Sequence, residues 1–173
     1  MNFPALSIQA IDITNRQTVL ALELNKDQNN FIESISDCLI EAKEDPRFTP
    51  VALCYGEDIA GFATFGQFEE CSQLTTVKQT TQPDKSQPSR VWFDRFLIDK
   101  RFQGKGLGRG FAKLLLTALF QRFNCQQIHL SVYPNNVNAI ALYQQLGFEF
   151  TGETVCKGER VMSCRLDVFT ANS

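Results

Sequence analysis

The chain has few of the residues from which proteins build metal sites. Among its 173 residues there is one histidine, His129, and none of its six cysteines stands in a Cys-x-x-Cys pair. Zinc is commonly held by such cysteine pairs together with histidines. The sequence therefore predicts no bound metal. It also predicts that the cysteines, at 38, 54, 71, 125, 156 and 164, are buried residues or free thiols rather than a disulfide framework.

An excess of charge and a long apolar run are missing as well. The formal net charge is −2, so no overall positive field attracts nucleic acid. No apolar stretch reaches the length that crosses a bilayer. We expect one domain that spans residues 1–173, located in the cytoplasm, with neither nucleic acid nor a membrane as its partner.

What the sequence does contain is a basic, glycine-rich stretch from Asp99 to Gly110, between a strand-like run and a helix-like run. Glycine allows positive φ and a close approach of the backbone, so successive N–H groups can face one oxyanion. The start of the following helix adds free N–H donors and the positive end of its dipole. The stretch therefore predicts a turn that binds phosphate or pyrophosphate.

Two common phosphate-binding patterns do not fit this stretch. A Walker loop needs Gly-Lys-Ser/Thr, whereas Gly110 is followed by Phe111 and Ala112. The dinucleotide fingerprint needs a glycine where Arg109 stands, and the acidic residue that it expects further on is missing from residues 124–127.

The spacing Gln103-x-x-Gly106-x-Gly108 resembles the Arg/Gln-x-x-Gly-x-Gly/Ala loop of the GNAT acetyltransferase superfamily, which holds the pyrophosphate of acetyl-CoA. A second segment, from Asn136 to Phe148, resembles the family pattern Asn-x-x-Ala-x-x-Leu-Tyr-x-x-x-Gly-Phe. The start of the chain from Asp27 onwards and the strand-like run from Phe93 are similar to those of bacterial spermine/spermidine N-acetyltransferases. The resemblance leaves out only residues 70–90 or so.

The resemblance implies an α/β (α+β) fold, with a mixed, mostly antiparallel central sheet, one parallel strand pair at its centre and helices on both faces. The hydrophobic pattern predicts strands at 7–13, 51–55, 59–65, 91–98, 128–132, 148–155 and 161–169. It predicts helices at 15–23, at 30–44, after Leu107 and after Asn136. Residues 67–90 are rich in Gln, Thr and Ser and predict a mobile loop, either a neutral insertion or part of the acceptor site.

The same resemblance implies that acetyl-CoA is the cosubstrate. The backbone of Phe96, Leu97 and Ile98 would hold its pantetheine arm, and the glycine-rich turn would wrap its pyrophosphate. The remaining candidates for binding the cofactor are Gln103, Gly104, Lys105, Gly106, Leu107, Gly108, Arg109, Asn136 and Ala139. For the two basic side chains, contact with phosphate and mere solvation at a helix start are both open.

Tyr143 is the first candidate catalytic residue. Helical spacing places Asn136, Ala139 and Tyr143 along one stripe. In the family, the tyrosine of this pattern protonates the departing thiolate of CoA. The alternative is a core aromatic residue that precedes the Gly-Phe turn.

Asp94 is the second candidate, because an alkylamine with a pKa of about 10.4 is protonated at neutral pH and must lose a proton before it attacks. Strand alternation predicts that Asp94 shares a face with Trp92, Phe96 and Ile98, where partial burial raises the pKa of a carboxyl. Its position also resembles that of a glutamate in polyamine acetyltransferases. An Asp94 that lies on the surface or pairs with arginine is the alternative.

Three further carboxylates, those of Glu33, Asp37 and Glu41, are predicted on one face of the second helix. There they could bind the distal ammonium groups of a polyamine, although a solvated acidic face explains them too. Together the features predict an acetyl-CoA-dependent N-acetyltransferase that acts on a primary amine, such as spermine or spermidine, in a chain that could form a homodimer. The alternatives are acetylation of a protein or of another small amine, and a non-catalytic CoA-binding module.

Overall fold

The computed structural model describes residues 4–28, 31–69, 89–155 and 158–171. The strands are β1 (Leu6–Ala10), β2 (Thr49–Tyr55), β3 (Asp58–Glu69), β4 (Ser89–Ile98), β5 (Gln127–Val132), β6 (Glu149–Thr154) and β7 (Arg160–Arg165). The helices are α1 (Arg16–Leu20), α2 (Ile35–Glu44), α3 (Leu107–Phe123), α4 (Val137–Gln145) and α5 (Leu166–Ala171).

The strands form one seven-stranded sheet in the order β1-β2-β3-β4-β5-β7-β6. Neighbours are antiparallel except for β4 and β5, which run parallel at the centre and are connected through α3. The predicted fold class, a mixed sheet with one central parallel pair, is therefore confirmed.

Alternation along the strands gives the sheet an apolar surface on each face. In β2, Val51 and Leu53 pack into the core that contains α3, whereas Ala52 and Cys54 pack with α1 and α2 on the other face. Helices consequently cover both faces of the sheet, as the sequence predicts.

A β-bulge interrupts this alternation in β4. Thr64 of β3 pairs with Arg95 and the next residue, Phe65, pairs with Phe93, so that Asp94 is the extra residue of the bulge. An extra residue re-aims the side chains around it and increases the local twist of the strand. The expectation that Asp94 shares a face with Phe96 by simple alternation is therefore wrong, because Phe93 and Phe96 both pack into the α3 core.

Several element ends differ from the prediction. β3 continues to Glu69 and β4 begins at Ser89, so the edges of the predicted loop at 67–90 are paired strand, and its remainder lies outside the described residues. The last strand, predicted to extend to residue 169, ends at Arg165, and α5 begins at Leu166. The second helix begins after Ser34, whose side chain accepts a hydrogen bond from the Asp37 backbone N–H, and this cap leaves Glu33 outside the helix.

The predictions about cysteines, metal ions and membrane spans can be compared with the structure for the described residues alone. Cys38, Cys54, Cys125 and Cys164 are free thiols, and the other two cysteines lie outside the described ranges. Within those ranges, no three or more His, Cys, Asp or Glu side chains come together in a way that could hold a metal ion. Among the described helices, none combines the length and the apolar character that a membrane crossing requires.

The lack of a side chain at Gly61 of β3 allows the backbone of β4 to lie close to it. A Cβ at this position would lie against the backbone carbonyl oxygen of Leu97, well inside van der Waals contact. We expect Gly61→Ala to lower the free energy of unfolding by about 2 kcal/mol or more, since backbone cannot yield as a flexible side chain does. Urea unfolding measures the change, with Gly108→Ala as the control because the nearest atom to a Cβ there lies 3.9 Å away. Equal stability of the two variants would contradict this account of Gly61.

Candidate active site

A cleft of about 480 Å³ opens where β4 and β5 separate. These strands pair only through Val91 with Ile128 and Trp92 with His129. Beyond these pairs the cleft is lined by residues 94–98 of β4 on one side and residues 131–133 at the end of β5 on the other. The edges of two parallel strands thus face a common space rather than each other.

The glycine-rich turn forms one end of the cleft. Gly104 and Gly106 have φ angles of 73° and 75°, the left-handed region in which glycine carries no penalty. Gly106 is also the N-cap of α3, so the first amides of that helix face an open turn. A Cβ on Gly104 or Gly106 would meet no atom within 4 Å, so internal packing does not require these glycines. Their positive φ and the open space beside them suit a backbone that closes around a ligand.

The charge of this turn favours an anion. Arg109 lies in the first turn of α3 and lines the cleft, and no acidic residue lies in that turn. A cation is unfavourable at the positive end of a helix dipole unless an anion joins it. Lys105, by contrast, is not among the described residues that line the cleft, and its ammonium lies 5.3 Å from the centre of the Phe102 ring.

Gln103 holds the turn in place through its side chain. Its Nε2 donates to the Ile98 carbonyl oxygen at 2.7 Å and to Oε1 of Gln28 at 2.8 Å. Its Oε1 accepts a hydrogen bond from Nδ2 of Asn25 at 2.7 Å. Gln103 lines the cleft, but its amide group is engaged in joining β4, the turn and the segment before α2.

Asp99 is a second anchor of the turn, and the sequence argument missed its role. The side chain is 1% exposed, and it accepts hydrogen bonds from the backbone N–H of Glu23 and from the backbone and guanidinium of Arg101. Burial opposes ionisation, but these hydrogen bonds prevail and lower the pKa of Asp99 below its ordinary value. The signal available in the sequence was an aspartate placed directly between the strand and the glycines.

The predicted pantetheine-binding strand and the start of α4 both reach the cleft. Phe96, Leu97 and Ile98 line it, as do Leu107 and Gly108 beside the turn. On the opposite side, Asn136 caps α4 by accepting a hydrogen bond from the Ala139 backbone N–H at 3.3 Å, and both residues line the cleft. The oxygen of Asn136 therefore has a structural partner.

Tyr143 lies deep in the same cleft. Its ring packs against Phe93 at 6.2 Å and against Phe148 at 5.7 Å between ring centres, which fixes its orientation. Burial raises the pKa of the phenol well above its ordinary value. The hydroxyl therefore keeps its proton at neutral pH and can serve as a donor.

Asp94 reaches the cleft because of the bulge. Thr64 Oγ1 donates to its Oδ2 at 2.9 Å, and the Arg95 guanidinium donates to the same oxygen. Burial raises the pKa of Asp94, although Arg95 and the hydrogen bond from Thr64 act in the opposite direction. The carboxylate is thus partly buried and paired with arginine, and it still lines the cleft.

Arg95 gathers the acidic residues around the bulge, and the sequence argument gave it no role. Its guanidinium lies 3.2 Å from Glu33 and 3.1 Å from Glu41, in addition to the contact with Asp94. Glu33 lines the cleft, whereas Glu41 is not among the described residues that line it. Asp37 is also absent from that lining, because its carboxylate accepts a hydrogen bond from the hydroxyl of Ser34 at 2.6 Å.

The opposite wall contains a pair that only the folded register brings together. Ser131 of β5 donates to Oε2 of Glu159 at 2.6 Å, and both residues line the cleft. Next to them Tyr133 contacts Phe31 from the segment before α2, with 6.2 Å between ring centres. Ser131 and Glu159 are separated along the chain by α4 and β6, and Phe31 and Tyr133 by all the elements from α2 to β5. No local sequence pattern therefore predicts these contacts.

Known proteins are similar to this chain over most of its length. The model of the acetyltransferase (GNAT) family matches residues 16–148. The chain is 40% identical over 158 residues to the spermine/spermidine N(1)-acetyltransferase of Bacillus subtilis (strain 168), which covers 91% of this chain and 97% of that protein.

Solved structures share the fold at low identity. The spermidine N-acetyltransferase from Vibrio cholerae in complex with CoA and spermine superposes with a TM-score of 0.67 at 16% identity, over 95% of this chain and 98% of that one. The structure of AAC(6')-Ib in complex with paromomycin and acetyl-CoA gives a TM-score of 0.71 at 17% identity, over 96% of both chains.

The anchoring role of Asp99 leads to a stability prediction. Asp99→Asn replaces one oxygen of a buried carboxylate, which accepts three hydrogen bonds, by an NH2 group that cannot accept. We therefore expect the free energy of unfolding to fall by about 2 kcal/mol. The affinity for CoA should fall as well, because the start of the turn loses its tie to Glu23. Chemical denaturation and calorimetric titration with CoA measure the two effects. Asp167→Asn, at an exposed pair with Arg165, is the control, and an equal response of both variants would contradict the role of Asp99.

Proposed function

This chain belongs to the GNAT acetyltransferase family, and from that premise we propose that it transfers the acetyl group of acetyl-CoA to a primary amino group of a polyamine. The observation that carries the proposal is the cleft between β4 and β5, which joins an anion-binding turn to a wall of carboxylates. A polyamine is a chain of ammonium groups separated by methylenes, so its site must offer negative charge and apolar surface together.

The cofactor is proposed to lie along the backbone of the cleft. The amides of the turn and of the first turn of α3 suit the pyrophosphate, with Arg109 as a charge partner. The edge of β4 at residues 96–98 suits the amides of the pantetheine arm, because it faces the cleft instead of β5. Lys105 lies outside this lining, and we assign it at most an electrostatic contribution.

The acceptor is proposed to lie at the acidic end. The cleft is lined there by Glu33, Asp94 and Glu159, with Arg95 as the one cation next to them among the described lining residues. Carboxylates on two facing walls can bind ammonium groups at two points of one chain. The rings of Phe31 and Tyr133 supply apolar surface for the methylenes between those groups. Glu41 is proposed to act only through Arg95, and Asp37 only by accepting a hydrogen bond from Ser34, the N-cap of α2.

The chemistry then needs one base and one acid. We assign to Asp94 the uptake of a proton from the bound ammonium, directly or through water, which frees the nitrogen to attack the thioester carbonyl. As the carbon–sulfur bond breaks, Tyr143 donates its proton to the departing thiolate. The nitrogen, which is positively charged after the attack, loses its second proton, and a proton returns to the phenol of Tyr143. The products are the amide and CoA as its thiol, and the proton held by Asp94 is released to solvent.

The location and assembly of the protein stay predictions from the sequence. We propose a cytoplasmic enzyme and a homodimer, together with a single domain over residues 1–173. Gel filtration with light scattering measures the assembly directly.

An amine panel tests the proposed acceptor. CoA release should be fast with spermine and spermidine, whose flexible methylene chain can place ammonium groups at both acidic walls. It should be slow with propylamine, which has one ammonium group, with a lysine peptide, and with an aminoglycoside, whose ammonium groups are fixed on rings. Comparison of kcat/KM across the panel gives the ranking. A preference for the peptide or the aminoglycoside would overturn the polyamine proposal, and bound acetyl-CoA without turnover of any amine would favour a CoA-binding module.

Glu159 provides a sharper test of the same proposal. We expect Glu159→Gln to raise KM for spermine by about tenfold and to leave KM for propylamine unchanged, since one charge-assisted contact is lost only with the longer acceptor. The matched control is Glu149→Gln, because Glu149 is an exposed carboxylate at the start of β6. An equal rise of KM for both amines, or the same change in the control, would contradict a specific contact.

Tyr143→Phe tests the proposed acid. We expect kcat to fall by about 10²-fold, because the thiolate then leaves without a proton donor. The ring contacts with Phe93 and Phe148 survive the change, so the dissociation constant of acetyl-CoA and the melting temperature should stay close to those of the unmodified enzyme. Rapid kinetics and calorimetry measure these values. An unchanged kcat would remove the tyrosine from the mechanism.

A further inference from the structure

Arg95 is an unexpected residue beside a site that we assign to a cationic acceptor. Its guanidinium would repel an ammonium group if its own charge were not balanced. Three carboxylates from separate parts of the chain balance it: Asp94 at the bulge, Glu33 before α2 and Glu41 within α2. The arginine and its three partners therefore carry a net charge of about −2 when ionised, which still favours a cation.

The contact with Asp94 has a direction. Among the residues that the structure describes, the hydrogen bonds to this carboxylate come from Thr64 Oγ1 and from Arg95, and both reach Oδ2. Two donors on one oxygen hold the plane of the carboxylate. The other oxygen, Oδ1, is consequently the one available to accept a proton or a hydrogen bond from an amine in the cleft.

The contact with Glu33 joins two walls of the cleft. Glu33 belongs to the segment before α2, and its Oε2 accepts a hydrogen bond from Nε of Arg95 at 3.2 Å. The ring of Phe48 lies 5.9 Å from the guanidinium carbon, and only 16% of the Arg95 side chain is exposed. A planar guanidinium with several fixed donors can make these contacts simultaneously, whereas an ammonium cannot match them all.

We propose that Arg95 is the positioning residue of the acceptor side: it directs Oδ1 of Asp94 towards the amine and ties the segment that carries Glu33 to β4. This inference rests on the proposed role of Asp94 as the base. It assigns to Arg95 no contact with the substrate. The residue acts through Asp94 and Glu33, each of which lines the cleft.

The proposal has a consequence for pH dependence. The charged and titratable groups that face Asp94 and Arg95 are Glu33, Glu41 and the thiol of Cys38. Burial raises the pKa of Cys38 to about 11, so this thiol is neutral around pH 7. Arg95 and the hydrogen bond from Thr64 lower the pKa of Asp94 against the effects of burial and of Glu33, and of the two only Arg95 carries a charge. Without the guanidinium, that pKa must rise.

The experiment compares Arg95→Gln with Arg90→Gln, a variant of another paired arginine on the same strand. For Arg95→Gln we expect kcat with spermine to fall by about tenfold or more, and the acid limb of its pH profile to move to higher pH. For Arg90→Gln both should stay as in the unmodified enzyme. A carbon-13 NMR titration of the Asp94 carboxyl should show the same upward shift in Arg95→Gln without any turnover.

A double-mutant cycle separates action through Asp94 from other effects. In the Asp94→Asn background, Arg95→Gln should change kcat at saturating spermine by less than about twofold, because the base that it positions is gone. The tie to Glu33 bears on the binding of spermine and so on KM. Should Arg95→Gln fail to fold, Arg95→Lys replaces it. Lysine keeps the positive charge but lacks the planar set of N–H donors of the guanidinium. We therefore expect kcat to fall while the acid limb of the pH profile stays in place.

Three results would overturn the inference. They are an unchanged kcat and carboxyl titration in Arg95→Gln, effects of the two substitutions that simply add, and an Asp94→Asn variant with full activity. Lack of polyamine turnover in the unmodified enzyme would contradict the proposed function instead, and the NMR titration would still decide the role of Arg95.

Discussion

The separation of β4 from β5 is the constraint on which the rest of the site depends. Two parallel strands in the middle of a sheet would ordinarily pair along their length, yet these two pair only through Val91 and Trp92. The bulge at Asp94 twists β4 at the point where pairing stops. Backbone donors and acceptors on both edges then need other partners, because a buried polar group without one is costly. A ligand rich in amides can supply them.

The bulge also places charge in a partly buried position that must be balanced. Asp94 and Arg95 are adjacent in the chain, and regular alternation would send their side chains to opposite faces of the sheet. The bulge brings both to the acidic end of the cleft, where Glu33 and Glu41 complete the pairing. Loss of one partner from such a cluster costs more than its formation contributes, because the remaining charges stay desolvated. Substitution of any one of these four charged residues therefore destabilises the cluster.

The sequence allowed local features of the site to be predicted but not features that depend on register. The glycines of the turn, the helix after Asn136 and the stripe that Asn136 shares with Tyr143 follow from spacing within one segment, and the structure places Asn136, Tyr143 and the glycines at 104, 106 and 108 at the cleft. The face of Asp94 was predicted wrongly, since one extra residue in a strand leaves no mark in the hydrophobic pattern. The Ser131 and Glu159 pair depends on how β5 meets β7, which no local pattern gives.

One end of the cleft is formed mainly by backbone groups and the other mainly by side chains, and this difference bears on specificity. The cofactor end uses backbone amides, a helix dipole and a strand edge, which remain in place when most side chains change. The end that we propose for the acceptor is lined by side chains from the segment before α2, from β4, from β5 and from Glu159 before β7. Substitutions of its carboxylates change the charge of the cleft but leave the backbone amides of the turn unaltered. One scaffold can consequently keep its acyl donor while its acceptor changes. The proposed acceptor end combines Asp94 and Glu33, which the sequence offers as candidates, with Arg95 and Glu159, whose positions only the tertiary structure gives.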